Sequence, residues 1–227
     1  MDIFYSIVSF FTKGGAFMLP ILVVATVGAA IAIERYVTLT RMRIANRNAW
    51  SRVEPLLMKG EFDKAREFTS KDDTAVSRLL GMGLALQGAV RRRDDVEKAM
   101  EESMMEVIPQ LQKRTHYLAT FANLATLLGL LGTVSGLIHA FAAVANVNPA
   151  EKANLLSASI SEAMNCTAFG LMTAVPILFV HALLQTKTTE LMDSLETASV
   201  KFMNALAARQ STKTQGHLEL VKAAQAS

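Results

Sequence analysis

The sequence predicts an all-α membrane protein with three transmembrane helices and long helical extensions outside the membrane. Hydrophobic residues make up 51% of the 227 residues, and the mean hydropathy is +0.29. The charged residues form clusters rather than an even spread. Three separate stretches each reach the roughly 20 apolar residues that a helix needs to cross a bilayer. These observations favour a helical membrane protein over a soluble globular domain.

The N-terminal half contains one predicted span and most of the charged residues. Residues 1–15 are predicted to be an external or interfacial segment, and the first span covers residues 16–37. The loop at residues 38–116 mixes basic and acidic residues with apolar residues at helical spacing, which predicts helices outside the membrane. Pro109 is expected to kink a helix that continues into the second span rather than to break it.

The C-terminal half contains the other two spans, which form an antiparallel hairpin. The second span covers residues 117–144, and a short turn rich in Asn and Pro at residues 145–154 leads to the third span at residues 155–186. Residues 187–227 are expected to continue as a helix to about Ala208 and then to form a polar tail.

The distribution of basic residues predicts the orientation of the chain. Arg41, Arg43 and Arg47 follow the first span, and Lys113 and Arg114 precede the second. Basic residues collect in cytoplasmic loops, so the long loop is predicted to be cytoplasmic. The N-terminus is then outside and the C-terminus inside.

Small residues mark one face of the second span. Gly129, Gly132 and Gly136 are three and four residues apart, and the last two form a GxxxG pattern. Helices in lipid associate through close packing at small residues, so this face is expected to lie against another helix.

The second span also carries a strip of polar residues along its length, formed by Asn123, Thr126 and Thr133. By the helical rise, Thr133 lies roughly 16 Å below the outer end of its span, and Thr167 lies roughly 18 Å below the outer end of the third. Unpaired polar groups in an apolar medium cost about 1–3 kcal/mol, so both threonines need polar partners or water near the bilayer midplane.

The third span carries an acidic residue, Glu162, roughly 10 Å below its outer end. Asn165 and Thr173 lie on or near the same face. An intramembrane acid indicates a functional site by default. Two interpretations stay open for Glu162: a proton-pathway acid, or an anchor that holds subunits together through hydrogen bonds.

The sequence does not favour enzyme, metal or nucleic-acid chemistry. Its histidines are scattered and form no metal-ligand pattern, and Cys166 is the only cysteine. The basic run at residues 91–93 is followed at once by two acids, which is typical of a solvated helix start rather than of a nucleic-acid site. No cofactor and no nucleic-acid partner are expected.

Two longer motifs resemble the paired membrane helices of the ExbB/TolQ/MotA family of ion-driven motor subunits. These motifs are "LLGLLGTVSGLIHAF" and "SISEAMNCTAFGLMTAVP", and the similarity extends over Ala119 to Leu184. Three spans with one long cytoplasmic loop resemble ExbB and TolQ, whereas MotA stators have a fourth span. The resemblance implies a multi-pass protein of the bacterial inner membrane, in which the predicted outside N-terminus is periplasmic.

The resemblance implies a homopentameric ring around two helices of a single-span partner of the ExbD/TolR type, which carries the proton-binding Asp. It also implies an indirect link to a TonB- or TolA-type protein. Thr133 and Thr167 match the pore-facing threonines, Glu162 matches the third-span acid, and Gly170 and Pro176 match the motif that follows.

Two departures from the family pattern are Thr126, where a proline is common, and Cys166, where another small residue is common. The second departure leaves sodium as an alternative to the proton, although "NCT" supplies few oxygen ligands and favours protons. A flagellar-type stator and a non-conducting membrane scaffold remain alternative functions at this point.

Overall fold

The computed structural model describes residues 15–86, 93–145 and 148–225, with side chains to Arg209. The regular elements in this part of the chain are all α-helices. They are α1 (Met18–Met58), α2 (Phe62–Lys71), α3 (Ala75–Leu86), α4 (Arg93–Gln112), α5 (Thr115–Ala145) and α6 (Pro149–Gln225). The all-α prediction is confirmed, while the expectations for residues 1–14 and for Arg91 and Arg92 lie outside the described residues.

Three regions are long and apolar enough to cross a membrane: α1, the stretch formed by α4 and α5, and α6. In the most apolar window of each, only 17–28% of the residues are buried inside the chain. Large apolar side chains such as Leu127, Ile138, Phe141 and Phe179 are therefore exposed. This confirms the three predicted apolar helices.

The chain divides into two compact units. The membrane unit contains the described residues up to Tyr36 together with Arg114–Gln185, and the loop unit contains Val37–Lys113 and the chain from Thr186 onward. In the membrane unit, Gly28 of α1 lies against Ile177 of α6 and Phe121 of α5. The start of α1 thus packs on the pair formed by α5 and α6.

The loop unit has its own apolar core, centred on the fully buried Phe202. Phe202 and Met100 both pack so closely on Gly83 that a Cβ there would lie 2.6 Å from the Phe202 ring and 2.9 Å from the Met100 sulfur. On the surface of this unit, Lys201 pairs with Glu54 at 2.6 Å. The charged loop is therefore a packed helical body.

Local sequence explains where several helices begin and end. Gly60, at φ +73°, ends α1, since the Glu61 amide donates to the Leu56 carbonyl and the Gly60 amide to the Leu57 carbonyl. This is the Schellman arrangement that favours glycine. Thr74 caps α3 by accepting a hydrogen bond from the Ser77 amide at 3.3 Å. Pro149 stands at the first position of α6, which suits a residue with no amide hydrogen.

The helix that was expected to continue past Pro109 into the second span is interrupted before that span. Pro109 is inside α4, and the helix is interrupted at Lys113 and Arg114. Arg114 has φ 63°, an uncommon conformation for a residue with a side chain. Its guanidinium donates to both carboxylate oxygens of Glu34, at 3.0 and 2.9 Å. This ion pair links Arg114 to α1.

The helix boundaries also differ from two expectations. The helix of the third predicted span begins at Pro149, six residues before the predicted start of that span. The same helix continues to Gln225 and does not end near Ala208.

Candidate functional site

The candidate site lies on the paired helices α5 and α6, which touch backbone to backbone. A Cβ at Gly170 would lie 2.7 Å from the Ala125 carbonyl oxygen and 3.0 Å from the Gly129 Cα. A Cβ at Gly129 would lie 3.2 Å from the Thr167 Cα. Because the atoms on the other side of each contact belong to the backbone, a methyl group at either glycine would push the two helices apart. Gly129 and Gly170 therefore set the closest approach of the pair.

The other two glycines of α5 pack against the same neighbour. A Cβ at Gly132 would lie 2.2 Å from the Cys166 sulfur, and one at Gly136 would lie 2.8 Å from the Ala163 Cβ. The small-residue face is thus filled by α6 of the same chain. It is not a free surface on which a separate helix could slide.

These contacts show which residues of α5 and α6 share a height, that is, the same position along the axis of the helix pair. Gly136 lies beside Ala163, Gly132 beside Cys166, and Gly129 beside Gly170. Thr133 and Thr167 each follow one member of the Gly132–Cys166 pair, so they lie at similar heights on neighbouring helices. Glu162 lies nearer to the connection between the helices, at the height of Gly136.

Both threonine hydroxyls donate to backbone carbonyls. The Thr167 hydroxyl crosses to α5 and donates to the Gly129 carbonyl at 2.9 Å, while the Thr133 hydroxyl donates to the Leu130 carbonyl of its own helix at 2.6 Å. Both side chains are half-buried in the chain. Thr167 therefore links the two helices, whereas Thr133 does not.

The remaining predicted site residues differ in burial and in hydrogen bonding. Thr126 donates to the Ala122 carbonyl at 3.1 Å, and α5 continues through this position as one helix. Asn123 and Pro176 are exposed, Asn165 is half-buried, and Thr173 is buried. The polar strip of α5 is therefore partly turned outward, and its threonines bond within the helix.

Glu162 lines a cavity of about 230 Å³ in the membrane unit. Ser135 and His139 of α5 and Ser159 of α6 also line this cavity. Gly15 closes one side, since a Cβ there would lie 2.6 Å from the Glu162 Oε1 atom. Gly15 also has φ +76°, a backbone conformation that favours glycine.

Four of these cavity residues were not among the predicted site residues: Gly15, Ser135, His139 and Ser159. His139 and Ser135 are one helical turn apart on α5, and Ser159 and Glu162 are three residues apart on α6, so helical spacing could have paired them within each helix. No spacing rule relates Gly15 to Glu162, because the two are far apart in sequence.

A second polar cluster lies at the other end of the membrane unit. The Nε atom of the buried Arg35 donates to the Thr115 hydroxyl at 3.3 Å. Next to it in sequence, Glu34 forms the ion pair with Arg114. These bonds join α1 to the start of α5. Within the described ranges, no group of three His, Cys, Asp or Glu side chains could hold a metal ion.

Comparison with known proteins identifies a family and a fold. The model of the MotA/TolQ/ExbB proton channel family matches residues 71–197, more than half of the chain. This match confirms the resemblance seen in the sequence. It includes α5 and the part of α6 that carries Glu162, Thr167 and Gly170.

Two relatives illustrate how far the similarity extends. The chain is 36% identical over 84 residues to the Tol-Pal system protein TolQ of Haemophilus influenzae, and the match covers 37% of this chain and 36% of TolQ. It is 29% identical over 189 residues to the ExbB-like 1 biopolymer transport protein of Synechocystis, covering 81% of this chain and 72% of that protein.

One solved structure has a similar fold. The structure of C. jejuni MotAB contains a chain that matches with a TM-score of 0.60 at 14% identity, covering 86% of this chain and 79% of that chain. At this identity the likeness concerns the fold alone.

Proposed function

Because this chain belongs to the MotA/TolQ/ExbB proton channel family, we propose that it is the proton channel subunit of an energy-transducing motor. The motor lies in the bacterial inner membrane, and the proton-motive force drives work on a TonB- or TolA-type protein that spans the periplasm. The names of the TolQ and ExbB-like relatives support this choice.

In this proposal five copies of the chain form a ring around a single-span partner of the ExbD/TolR type. The N-terminus is periplasmic, the loop at residues 38–116 is cytoplasmic, and the C-terminal helix and tail at residues 187–227 are also cytoplasmic. The short periplasmic turn connects α5 to α6. The positive-inside distribution of Arg41, Arg43 and Lys113 supports this orientation.

The observation that carries the proposal is the common height of Thr133 and Thr167 on a tightly packed helix pair. Two hydroxyls that meet at one depth offer polar contacts to a partner's carboxyl group inside an otherwise apolar segment. Glu162 lies on the same pair, nearer the periplasmic end, and serves as the acid that passes protons to this level. One proton that crosses the full membrane field releases about 2.3 kcal/mol per 100 mV. A few protons then suffice to repack a helix interface.

Proton flux in vesicles tests this function. The chain is co-expressed with its single-span partner, and the purified complex is reconstituted with a pH-sensitive dye inside the vesicles. We expect flux under an imposed potential from the complex and none from this chain alone, since the proton-binding Asp belongs to the partner. Robust flux without a partner would overturn the proposal.

Glu162→Gln separates a proton-pathway acid from a packing anchor. The amide keeps a hydrogen-bond acceptor and adds donors, but it does not titrate. We expect the complex to assemble and the flux to be lost. Glu151→Gln, which changes an exposed acid in the first turn of α6, is the matched control and should conduct normally. Normal flux in Glu162→Gln would show that Glu162 acts only in packing.

A flagellar-type stator and a non-conducting scaffold give different results in the same preparation. A stator would co-purify with a partner that carries a peptidoglycan-binding domain, which mass measurement of the complex detects. A scaffold would assemble with its partner and show no flux.

A further inference from the structure

The cavity beside Glu162 is large and polar enough to hold water. Its volume of about 230 Å³ is several times the roughly 30 Å³ that one water molecule occupies in the liquid. Its lining includes two hydroxyls, an imidazole and a carboxyl group, from Ser135, Ser159, His139 and Glu162. Water is retained in cavities that offer it two to four polar partners. This cavity meets that requirement.

The cavity extends along the helix pair from the connection side toward the threonine level. Its outermost lining residue on α5 is His139 and its innermost is Gly132, a distance of about 10 Å along the helix by the helical rise. The inner end is at Gly132 and Cys166, which directly precede Thr133 and Thr167. The cavity therefore extends from the depth of His139 to that of the residues directly before the two threonines.

The wall opposite the helix pair is formed by the chain just before α1. Gly15, Ala16 and Phe17 line the cavity, and Gly15 lies directly against the Glu162 carboxyl group. Glu162 therefore contacts this segment and borders the cavity, and a cavity that holds water would lower the cost of an acid at that depth.

We propose that this cavity is an aqueous vestibule inside each subunit, through which protons reach Glu162 from the side of the α5–α6 connection, with His139 as the relay at its entrance. The inference rests on the proposed channel function and adds a residue and a route to it. Among the described lining residues, the titratable groups are His139 on α5 and Glu162 and Cys166 on α6; Gly15, Ala16 and Phe17 contribute none.

The proton transfer uses only these groups and water. An imidazole nitrogen of His139 takes a proton from a hydronium ion, which becomes water, and the resulting imidazolium is the proton donor. The imidazolium then gives a proton through a chain of water and serine hydroxyls to the Glu162 carboxylate and returns to neutral imidazole. Histidine suits this step because it gains and loses a proton in the physiological pH range.

Cysteine accessibility tests the vestibule without any measurement of flux. In a Cys166→Ser background, which has no other cysteine, Ser135→Cys is placed in the cavity. Val134→Cys, one residue away on α5 and outside the lining, is the matched control at the same depth. Each complex is treated with a charged, membrane-impermeant methanethiosulfonate reagent from the periplasmic side. Size-exclusion chromatography first establishes that each variant assembles.

We expect Ser135→Cys to react at least tenfold faster than Val134→Cys. Equal rates at the two positions would overturn the vestibule. Ser159→Cys provides a second position on the opposite helix and should also react, so that a folding defect at residue 135 does not decide the question.

The relay is tested by the pH dependence of proton flux. His139→Gln retains hydrogen bonding but does not titrate. We therefore expect its flux to fall about tenfold and, unlike that of the unmodified complex, not to vary between pH 5 and 8. His181→Gln, a change outside the cavity lining, should keep the original profile. An unchanged profile in His139→Gln would overturn the relay. If the unmodified complex conducts no protons, the channel function fails, while the labelling result still decides whether the vestibule exists.

Discussion

The contact between Gly129 and Gly170 predicts that one added methyl group will separate α5 from α6. A Cβ at Gly170 would lie 2.7 Å from the Ala125 carbonyl oxygen, whereas ordinary contacts begin at 3.4 Å. The helices must therefore move apart by about 0.7 Å, a gap that forfeits a quarter to a half of the dispersion energy of the atoms concerned. The Thr167–Gly129 hydrogen bond, 2.9 Å long, would stretch beyond useful range.

Overpacking of this kind typically costs about 1–3 kcal/mol. Replacing glycine by alanine in a helix also gains up to about 1 kcal/mol of helix propensity, which must be removed from the comparison. Gly28→Ala provides that correction, since its one contact under 3.4 Å would be with the flexible end of the Ile177 side chain, at 2.9 Å, and not with backbone. The difference between Gly170→Ala and Gly28→Ala then isolates the cost of separating the helices.

Thermal unfolding in detergent, followed by circular dichroism, measures this difference. At about 2–4 °C per kcal/mol for a chain of this size, Gly170→Ala should melt some 2–12 °C below Gly28→Ala. Equal melting temperatures would refute the backbone contact.

Two further comparisons test individual side chains. Thr167→Val removes a hydrogen bond between helices and should lower the free energy of unfolding by about 0.6–1.7 kcal/mol, whereas Thr133→Val should leave the melting temperature unchanged. Both variants should lose proton flux. A stable, conducting variant at either position would contradict the role given to that hydroxyl. In the loop unit, partial burial raises the pKa of Asp72, but hydrogen bonds from Ser77 and Thr74, both 2.5 Å long, outweigh it and leave the pKa below its ordinary value of 3.8. A depressed folded-state pKa stabilises the fold above the ordinary value and loses this effect as the pH falls through the folded-state value. Asp72→Asn should therefore lower the melting temperature at pH 7 and have little effect at the acid end. Asp73→Asn, which breaks only an exposed ion pair, should be nearly neutral throughout, and a larger effect there would contradict this reasoning.

The sequence was sufficient to predict the three apolar helices and the hairpin, because apolar length and glycine spacing are local properties. It could not predict the break at Arg114. Buried residues repeat every three or four positions straight through that point, at Leu111, Thr115, Leu118, Ala122 and Ala125. A periodic pattern that runs across an interruption gives no sign of it, and Pro109, where a kink was expected, lies inside α4 before the interruption.

The cavity was beyond sequence reasoning for a different reason. Helical spacing indicates which residues share a face of one helix, but not what lies opposite that face. Glu162 was identified by its charge and depth, whereas Gly15 and His139 acquire their significance only from where the folded chain places them. The sequence predicted from depth that Thr133 and Thr167 lie at one level, but it could not predict their hydrogen-bond partners, which depend on how closely α5 approaches α6.

The hydrogen bonds that the Thr133 and Thr167 hydroxyls donate determine whether these residues can bind a protonated or an ionised carboxyl group. Each hydroxyl already gives its hydrogen to a carbonyl, at Leu130 or Gly129, so each has only oxygen lone pairs left to offer. A protonated carboxyl group can donate to such an oxygen, but an ionised carboxylate cannot. Thr133 and Thr167 can therefore accept a hydrogen bond from a protonated acid but offer no donor to the ionised form. In the proposed motor, protonation of the partner's acid would thus be coupled to its position beside these two residues.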